Sequence, residues 1–300
     1  MDPKKSKKYL LLIVKALVSG TLLFLIIKRS GLANIYSTIK GISPAFFAGS
    51  VALYLVSIYI SCLRWRLLIV SAPRLRRLFS LYIMGSFFNI MLPGLIGGDA
   101  VKAYYLYKET GNLPESMASI FMERYLGFTA LFLIGALAWP FAVPYLKDAG
   151  LLLWAFPLFL VAFIIGSIVF FTLKAGKRIK LLSDFYGYFD FYGRKTLLKG
   201  LLYSFLVQAL VIFQVFMLSK GFGHDFSILL FFVFIPVITA LAVLPISISG
   251  LGIREASFVV LFGAVGMGPE GATALSFSWF LSMGTGSLVG LVEYLRIRKR

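Results

Sequence analysis

The chain has 300 residues, of which 60% are hydrophobic and only 14% charged, with a mean hydropathy of +0.91; soluble domains are about half apolar and a quarter charged, so a soluble globular fold is excluded. The net charge of +18 is not read as a nucleic-acid footprint, because the cations cluster at the ends of apolar segments, where they set topology and meet anionic lipid heads. One cysteine, Cys62, forms no intramolecular disulfide, and one histidine, His224, rules out multi-histidine metal sites. No metal, cofactor or nucleic acid is expected.

Windows of about 20 apolar residues match the length that crosses a hydrocarbon core of about 30 Å as a helix. The fold class is therefore an all-α polytopic membrane protein. A basic run, Lys4, Lys5, Lys7 and Lys8, leads into a first span at about 9–27, too long for a secretory leader and lacking its small-residue cleavage site. Lys15 is a solitary cation within it. The second span begins with Ser43 as N-cap and Pro44 at the first helical position and runs to about 63. It ends on Arg64, Trp65 and Arg66, with Arg74, Arg76 and Arg77 following, a run read as interfacial anchors, with Arg64 also a candidate headgroup ligand.

An apolar run at 78–96 comes next, and then a helix at about 99–109. Gly111 and Pro114 stop and restart the chain before a span at about 117–139, which carries Glu123 and Arg124 near its start. Pro140 and Pro144 mark a short loop. After a span at 151–173 comes the basic segment 174–199, whose tyrosine-rich stretch "IKLLSDFYGYFDFYGRK" is amphipathic and suited to the headgroup region. Further apolar stretches lie at about 197–218, 226–248, 256–265 and 272–295, and the last closes on Arg296, Arg298, Lys299 and Arg300.

With both termini cytoplasmic, most cations fall on one face, provided that 78–109 enters and leaves from the same side. A re-entrant hairpin turning at Pro93 and Gly94 satisfies this, since irregular backbone is tolerated at membrane depth when protein covers it or it lines a watered cavity. The device recurs: Pro245 lies 152 residues after Pro93, and "LPGLIGGDAVKA" parallels "LPISISGLGIRE". Each has Leu-Pro, a glycine five positions on (Gly98, Gly250) and a cation nine positions on (Lys102, Arg254). The expected architecture is about six full spans plus two re-entrant hairpins, some eight hydrophobic segments in one domain, with inverted repeat halves at about 44–147 and 198–295. Broken helices of such repeats meet near the midplane to form a binding site.

After the Gly97–Gly98 turn, Asp99 is placed either to cap the next helix or to share a face with Lys102, three residues on, and open towards a ligand. Free amides at the helix start suit a phosphate. In the second block Gly250 and Gly252 precede Arg254 and Glu255. Sequence neighbours do not face each other on a helix, so each is expected to need a partner from elsewhere, with Glu123 and Arg124 as candidates. No Ser-His-Asp constellation, P-loop or nucleotide-binding fold is present, so neither an ATP-driven pump nor a conventional enzyme is expected.

"LRWRLLI" at 63–69, "LPGLIGGDAVKAYYL" at 92–106, "ERYLG" at 123–127 and "LPISISGLGIREASF" at 244–258 resemble the signature blocks of the lysylphosphatidylglycerol synthase transmembrane region, a flippase-like integral membrane family. In well-known relatives this region is joined to a soluble aminoacyl-phospholipid synthase domain and moves the aminoacylated lipid between leaflets. This sequence carries no such domain, so the resemblance implies lipid translocation and not synthesis. It also implies that Asp99, Lys102, Arg254 and Glu255 belong to the family's two glycine-rich blocks, with Lys102 standing where relatives often have arginine. Stand-alone members are associated with hopanoid, glycolipid and polyprenyl-lipid pathways. The expected function is movement of an anionic phospholipid, glycolipid or polyprenyl-linked lipid across the cell membrane, with Asp99, Lys102, Glu123, Arg124, Arg254, Glu255 and Arg64 as headgroup-binding candidates. The alternatives are a membrane-embedded lipid-modifying enzyme with Glu123 or Glu255 as general base, and a non-transporting subunit holding a lipid or glycan biosynthetic enzyme at the membrane.

Overall fold

The computed structural model describes residues 17–298 apart from 23, 29–30, 72, 92–96, 148–149, 174–179, 244–246 and 248–249. Among the described residues every regular element is helical. The chain runs through α1 (Leu17–Lys28), α2 (Leu32–Lys40), α3 (Pro44–Leu67), α4 (Leu75–Met91), α5 (Gly97–Thr110) and α6 (Leu113–Leu146). A 3-10 turn (Gly150–Trp154) leads to α7 (Ala155–Leu173), α8 (Lys180–Asp190), α9 (Arg194–Gly221), α10 (Ile228–Val243), α11 (Ile253–Gly263) and α12 (Pro269–Arg298). Five of these, α3, α6, α7, α9 and α12, are long and apolar enough to cross a membrane, and a sixth span arises if α1 and α2 act as one broken crossing. The first part of the expected span at 9–27, residues 9–16 with Lys15, falls outside the described residues; its described remainder is helical.

The helix starts reflect local chemistry. Pro44 opens α3 as expected, and Ser43 takes the N-cap backbone conformation, but its side chain accepts no amide there. At α6, Gly111 turns the chain with a φ of 68° and the Asn112 side chain accepts the Glu115 N–H at 3.1 Å, satisfying an amide the helix itself leaves unpaired. Pro140 and Pro144 do not form the expected loop; both lie inside α6, which continues to Leu146. Proline removes a helical hydrogen bond, but Ala142 and Leu146 are fully buried against a core that includes Phe231 and Phe234 of α10. Packing of those last two turns outweighs the local preference. At 34 residues, α6 is about 51 Å long and must tilt or project beyond the hydrocarbon.

Two layers of packing matter for the site. The α3 and α9 helices lie along one another, and α12 runs through the middle of the bundle, touching α2, α3, α4, α9 and α11. The short helices α4 and α5 pack as a pair, as do α10 and α11. Each pair is joined across one of the two Leu-Pro segments; Pro93, Gly94 and Pro245, the expected turning points, lie outside the described residues. The α7 helix buries little more than Phe156 within the chain and presents Leu158, Val161, Ile165 and Ile168 outward, as expected of a helix whose apolar faces are covered by lipid.

Candidate functional site

Close packing of α4 on α5 sets where the charged residues of α5 stand. A Cβ on Gly98 would collide with the Gly85 carbonyl, so only glycine lets the two backbones approach so closely. The Asn89 side chain of α4 accepts the Gly98 N–H at 2.9 Å, capping an otherwise open amide from outside the helix. Asp99 is therefore not the cap. It stands two residues inside α5, which begins at Gly97, and turns its carboxylate to cations: Oδ2 accepts Nε of Arg124 at 2.7 Å and Oδ1 lies 3.1 Å from Nζ of Lys102. The i,i+3 spacing of Asp99 and Lys102 does put them on one face, as read from the sequence.

Lys102 continues inward. Its ammonium donates to Oε2 of Glu123 at 2.9 Å and sits 4.4 Å from the centre of the Tyr82 ring and 5.2 Å from that of Trp65, a geometry in which the ring faces stabilise the cation. Oε1 of Glu123 accepts from the Tyr82 hydroxyl at 2.6 Å and from Arg64 Nη2 at 3.0 Å. Arg64 is not the interfacial anchor expected of it. It is 6% exposed, and its Nη1 donates to Ser204 of α9 at 2.9 Å. The guanidinium passes Gly127, one turn beyond Glu123, where a Cβ would already touch it at 3.4 Å. Arg66, two residues on, is exposed as an anchor should be.

The result is a chain of charge, Arg64–Glu123–Lys102–Asp99–Arg124, buried except at Arg124, drawn from α3, α5 and α6 and backed by Tyr82 of α4. Three cations meet two carboxylates, so the cluster carries one uncompensated positive charge. Charges withdrawn from water are expensive unless paired and hydrogen-bonded; every charge here has an ionic partner, while Nε of Arg64 is buried without a hydrogen-bond partner among the described residues. Arg64, Lys102, Glu123 and Arg124 line a cavity of about 260 Å³ together with Tyr82, Ser86 and Asn89.

Arg124 has a second face. Its side chain is 48% exposed, and with Asp99 it also closes one end of a groove of about 600 Å³ between α5, α6 and α8. Apart from those two residues the groove is lined by apolar and aromatic side chains, among them Ala103, Tyr104, Met117, Phe121 and Phe185. Phe121 stacks on Phe170 at 4.6 Å and meets Phe185 of α8 edge-on at 5.7 Å, so α8 forms an aromatic wall. The sequence-adjacent Glu123 and Arg124 point about 100° apart around α6, one into the polar cavity and the other to the junction with the groove.

The second block is separate. Arg254 and Glu255 pair with each other, contrary to expectation: Nη2 and Nε of Arg254 lie 2.5 and 3.0 Å from Glu255 Oε1. The reason is their place in the first turn of α11, where Glu255 folds back so that its Oε2 accepts the Gly252 N–H at 2.7 Å. Ser276 of α12 bridges both side chains at 3.2 Å, and the guanidinium lies 4.8 Å from the Phe280 ring centre. Glu123 and Arg124, expected as their partners, belong to the other cluster. Gly250 and Gly252 turn with φ of 76° and 83°, left-handed values that glycine adopts without penalty.

Most of the chain matches one family: the lysylphosphatidylglycerol synthase TM region model covers residues 12–290. The chain belongs to that family. It is also similar to UPF0104 membrane proteins of two archaea. One from Methanocaldococcus jannaschii is 24% identical across 100% of this chain and 97% of its own length. A match from Methanothermobacter thermautotrophicus is 23% identical over 93% of this chain and 94% of the relative, and another from that organism is 30% identical over 42% of this chain but only 37% of the relative. No solved structure matches.

Within this member of the lysylphosphatidylglycerol synthase TM family, the sequence reading missed Tyr82, Asn89 and Ser204. A signal for the first two was present: Tyr82, Ser86 and Asn89 stand at i, i+4 and i+7, a polar stripe down one face of the apolar part of α4 that follows Ser80. Ser204 and Gln208 repeat the pattern on α9, with Gln208 Nε2 donating to the Gly127 carbonyl at 3.0 Å.

Proposed function

We propose that this protein moves a phosphate-bearing anionic lipid between leaflets, with the headgroup held at the α5–α6 charge cluster and a hydrocarbon chain in the α5–α6–α8 groove. The observation that carries the proposal is the position of Arg124, which belongs at once to a polar cavity with one excess positive charge and to an apolar groove. An amphiphile needs both environments side by side. Lys102 and Arg124 supply the charge for the phosphate, and the guanidinium of Arg124 can bind it through two parallel hydrogen bonds. Glu123 and Asp99 hold the two cations in place while no ligand is bound.

Transport is favoured over covalent chemistry because the carboxylates suited to act as a general base are already engaged. Both oxygens of Glu123 accept hydrogen bonds, and both oxygens of Glu255 do so too. The test is reconstitution in liposomes containing labelled phosphatidylglycerol, a phosphate-bearing glycolipid or a polyprenyl phosphate. Transfer of at least one of them above protein-free vesicles is expected; none for any of the three overturns the proposal. Mass spectrometry of the same lipids afterwards separates transport from modification, since a new covalent species would mark an enzyme.

The α4–α5 and α10–α11 pairs are read as hairpins entering from opposite sides, with both termini cytoplasmic, in keeping with the charge distribution of the sequence. Alkaline phosphatase fused after Thr110 should then be inactive and after Gly268 active; the reverse at either site refutes the opposed arrangement.

A further inference from the structure

Away from the buried cluster, the start of α4 and the end of α12 form a bowl of about 620 Å³ lined by Arg74, Arg76, Arg77, Ser80, Glu293 and Arg296. All four cations are arginines. Glu293, the acid in the lining, is already engaged, accepting from Ser80 at 3.1 Å and from Arg296 at 2.8 Å. Arg77 pairs with Glu109 of α5. Arg74 and Arg76 are exposed and make no ion pair among the described residues. The bowl therefore holds more guanidinium than carboxylate, and a concave surface of one sign concentrates counter-ions.

Its walls are held firmly. A Cβ on Gly290 of α12 would collide with the Ile83 carbonyl of α4, and further along the same helix pair Phe88 meets Tyr294 edge-on at 5.0 Å. Arginines that repel one another across a rigid concavity are stabilised by an anion that bridges them, and planar guanidinium forks match the oxygens of a phosphate. The volume lies in the range of small-ligand sites, about 300–1,000 Å³, which favours a compact phosphate group over an acidic protein surface.

We infer that this bowl is a second anion site, binding a phosphate group with at least three unesterified oxygens, either as the monoester head of a phospholipid or as free phosphate, independently of the buried cluster. The test uses the full chain in an uncharged detergent, with binding of dioctanoyl phosphatidic acid, dioctanoyl phosphatidylcholine and inorganic phosphate measured by microscale thermophoresis. The wild type should bind phosphatidic acid more tightly than phosphatidylcholine. The triple variant Arg74→Gln, Arg76→Gln, Arg296→Gln should lose on the order of 10- to 100-fold in that affinity, and Arg74→Gln alone a smaller part of it. Competition by inorganic phosphate would mark the free anion as sufficient, whereas binding of phosphatidic acid without such competition would mark the lipid as the source; either supports the site. The inference fails if the triple variant binds as the wild type does, or if affinity is lost in Arg124→Gln instead, which would assign the binding to the buried cavity. It also fails if a polyglutamate peptide binds at the bowl while neither phosphate probe does.

Discussion

The two Leu-Pro blocks look alike in the sequence, but the helix pairs built around them handle charge differently. In the α4–α5 region, Glu123 receives two cations and the tyrosine hydroxyl of Tyr82, and the chain of charge runs on through Lys102 and Asp99 to the half-exposed Arg124. In the α10–α11 region, Arg254 and Glu255 neutralise one another and close on Ser276 of α12. The first region has an open end and an unbalanced charge; the second is closed and balanced. A shared spacing of proline, glycine and cation thus yields one arrangement with an excess cation and an exposed end, the proposed anion site, and one whose charges are balanced and buried. Even the matched glycines differ, since Gly98 serves a close backbone approach inside a helix and Gly250 a left-handed turn.

The largest test of this contrast is Glu123→Gln. It leaves Arg64 and Lys102 buried beside an uncharged amide, and removing one partner of a buried ion pair costs about 3–5 kcal/mol. Glu255→Gln, which strands one buried cation instead of disturbing two, should cost less, near the lower end of the same range at about 3 kcal/mol. Thermal or denaturant unfolding in detergent checks the order; equal losses would show that the two clusters bear equal loads.

Next comes the glycine pair. Gly98→Ala forces a methyl group into the Gly85 carbonyl and should lose about 1–3 kcal/mol, with Gly98→Asn worse because it is larger. At Gly250 the order should invert, Asn being tolerated better than Ala, because the positive φ and not only the space limits that position. If Asn is worse than Ala at both sites, the distinction drawn between them is wrong.

Arg124→Gln should move stability by less than about 1 kcal/mol, as expected for a half-exposed ion pair, yet reduce lipid transfer in liposomes about tenfold, the loss of roughly one charged hydrogen bond. Transfer at the wild-type rate would remove Arg124 from the proposed site. Asn89→Ala frees the Gly98 amide and should lower stability by about 1 kcal/mol without the loss of transfer expected of Arg124→Gln; no change in the unfolding midpoint would mean that the amide finds another acceptor.

Composition and pattern alone determined a good deal. Long apolar stretches separated by cation clusters define the membrane class and most of the spans, because lipid admits few solutions other than helices. The short broken pairs were legible from their proline and glycine content, and the pairing of Asp99 with Lys102 from a spacing of three. What only the tertiary structure decided were the matters that depend on which helices meet. Arg64, at the end of a span beside Arg66, reads as an anchor until α6 brings Glu123 and α9 brings Ser204 to it. Pro140 and Pro144 read as a loop until α10 packs over the turns that contain them. Glu255 turns back to the Gly252 amide and thereby meets its own neighbour, which helical spacing alone does not anticipate. A residue's position along a helix comes from local chemistry, but the partner of a buried charge is set by whichever helix lies alongside, because in lipid a charge must find its counter-charge inside the protein.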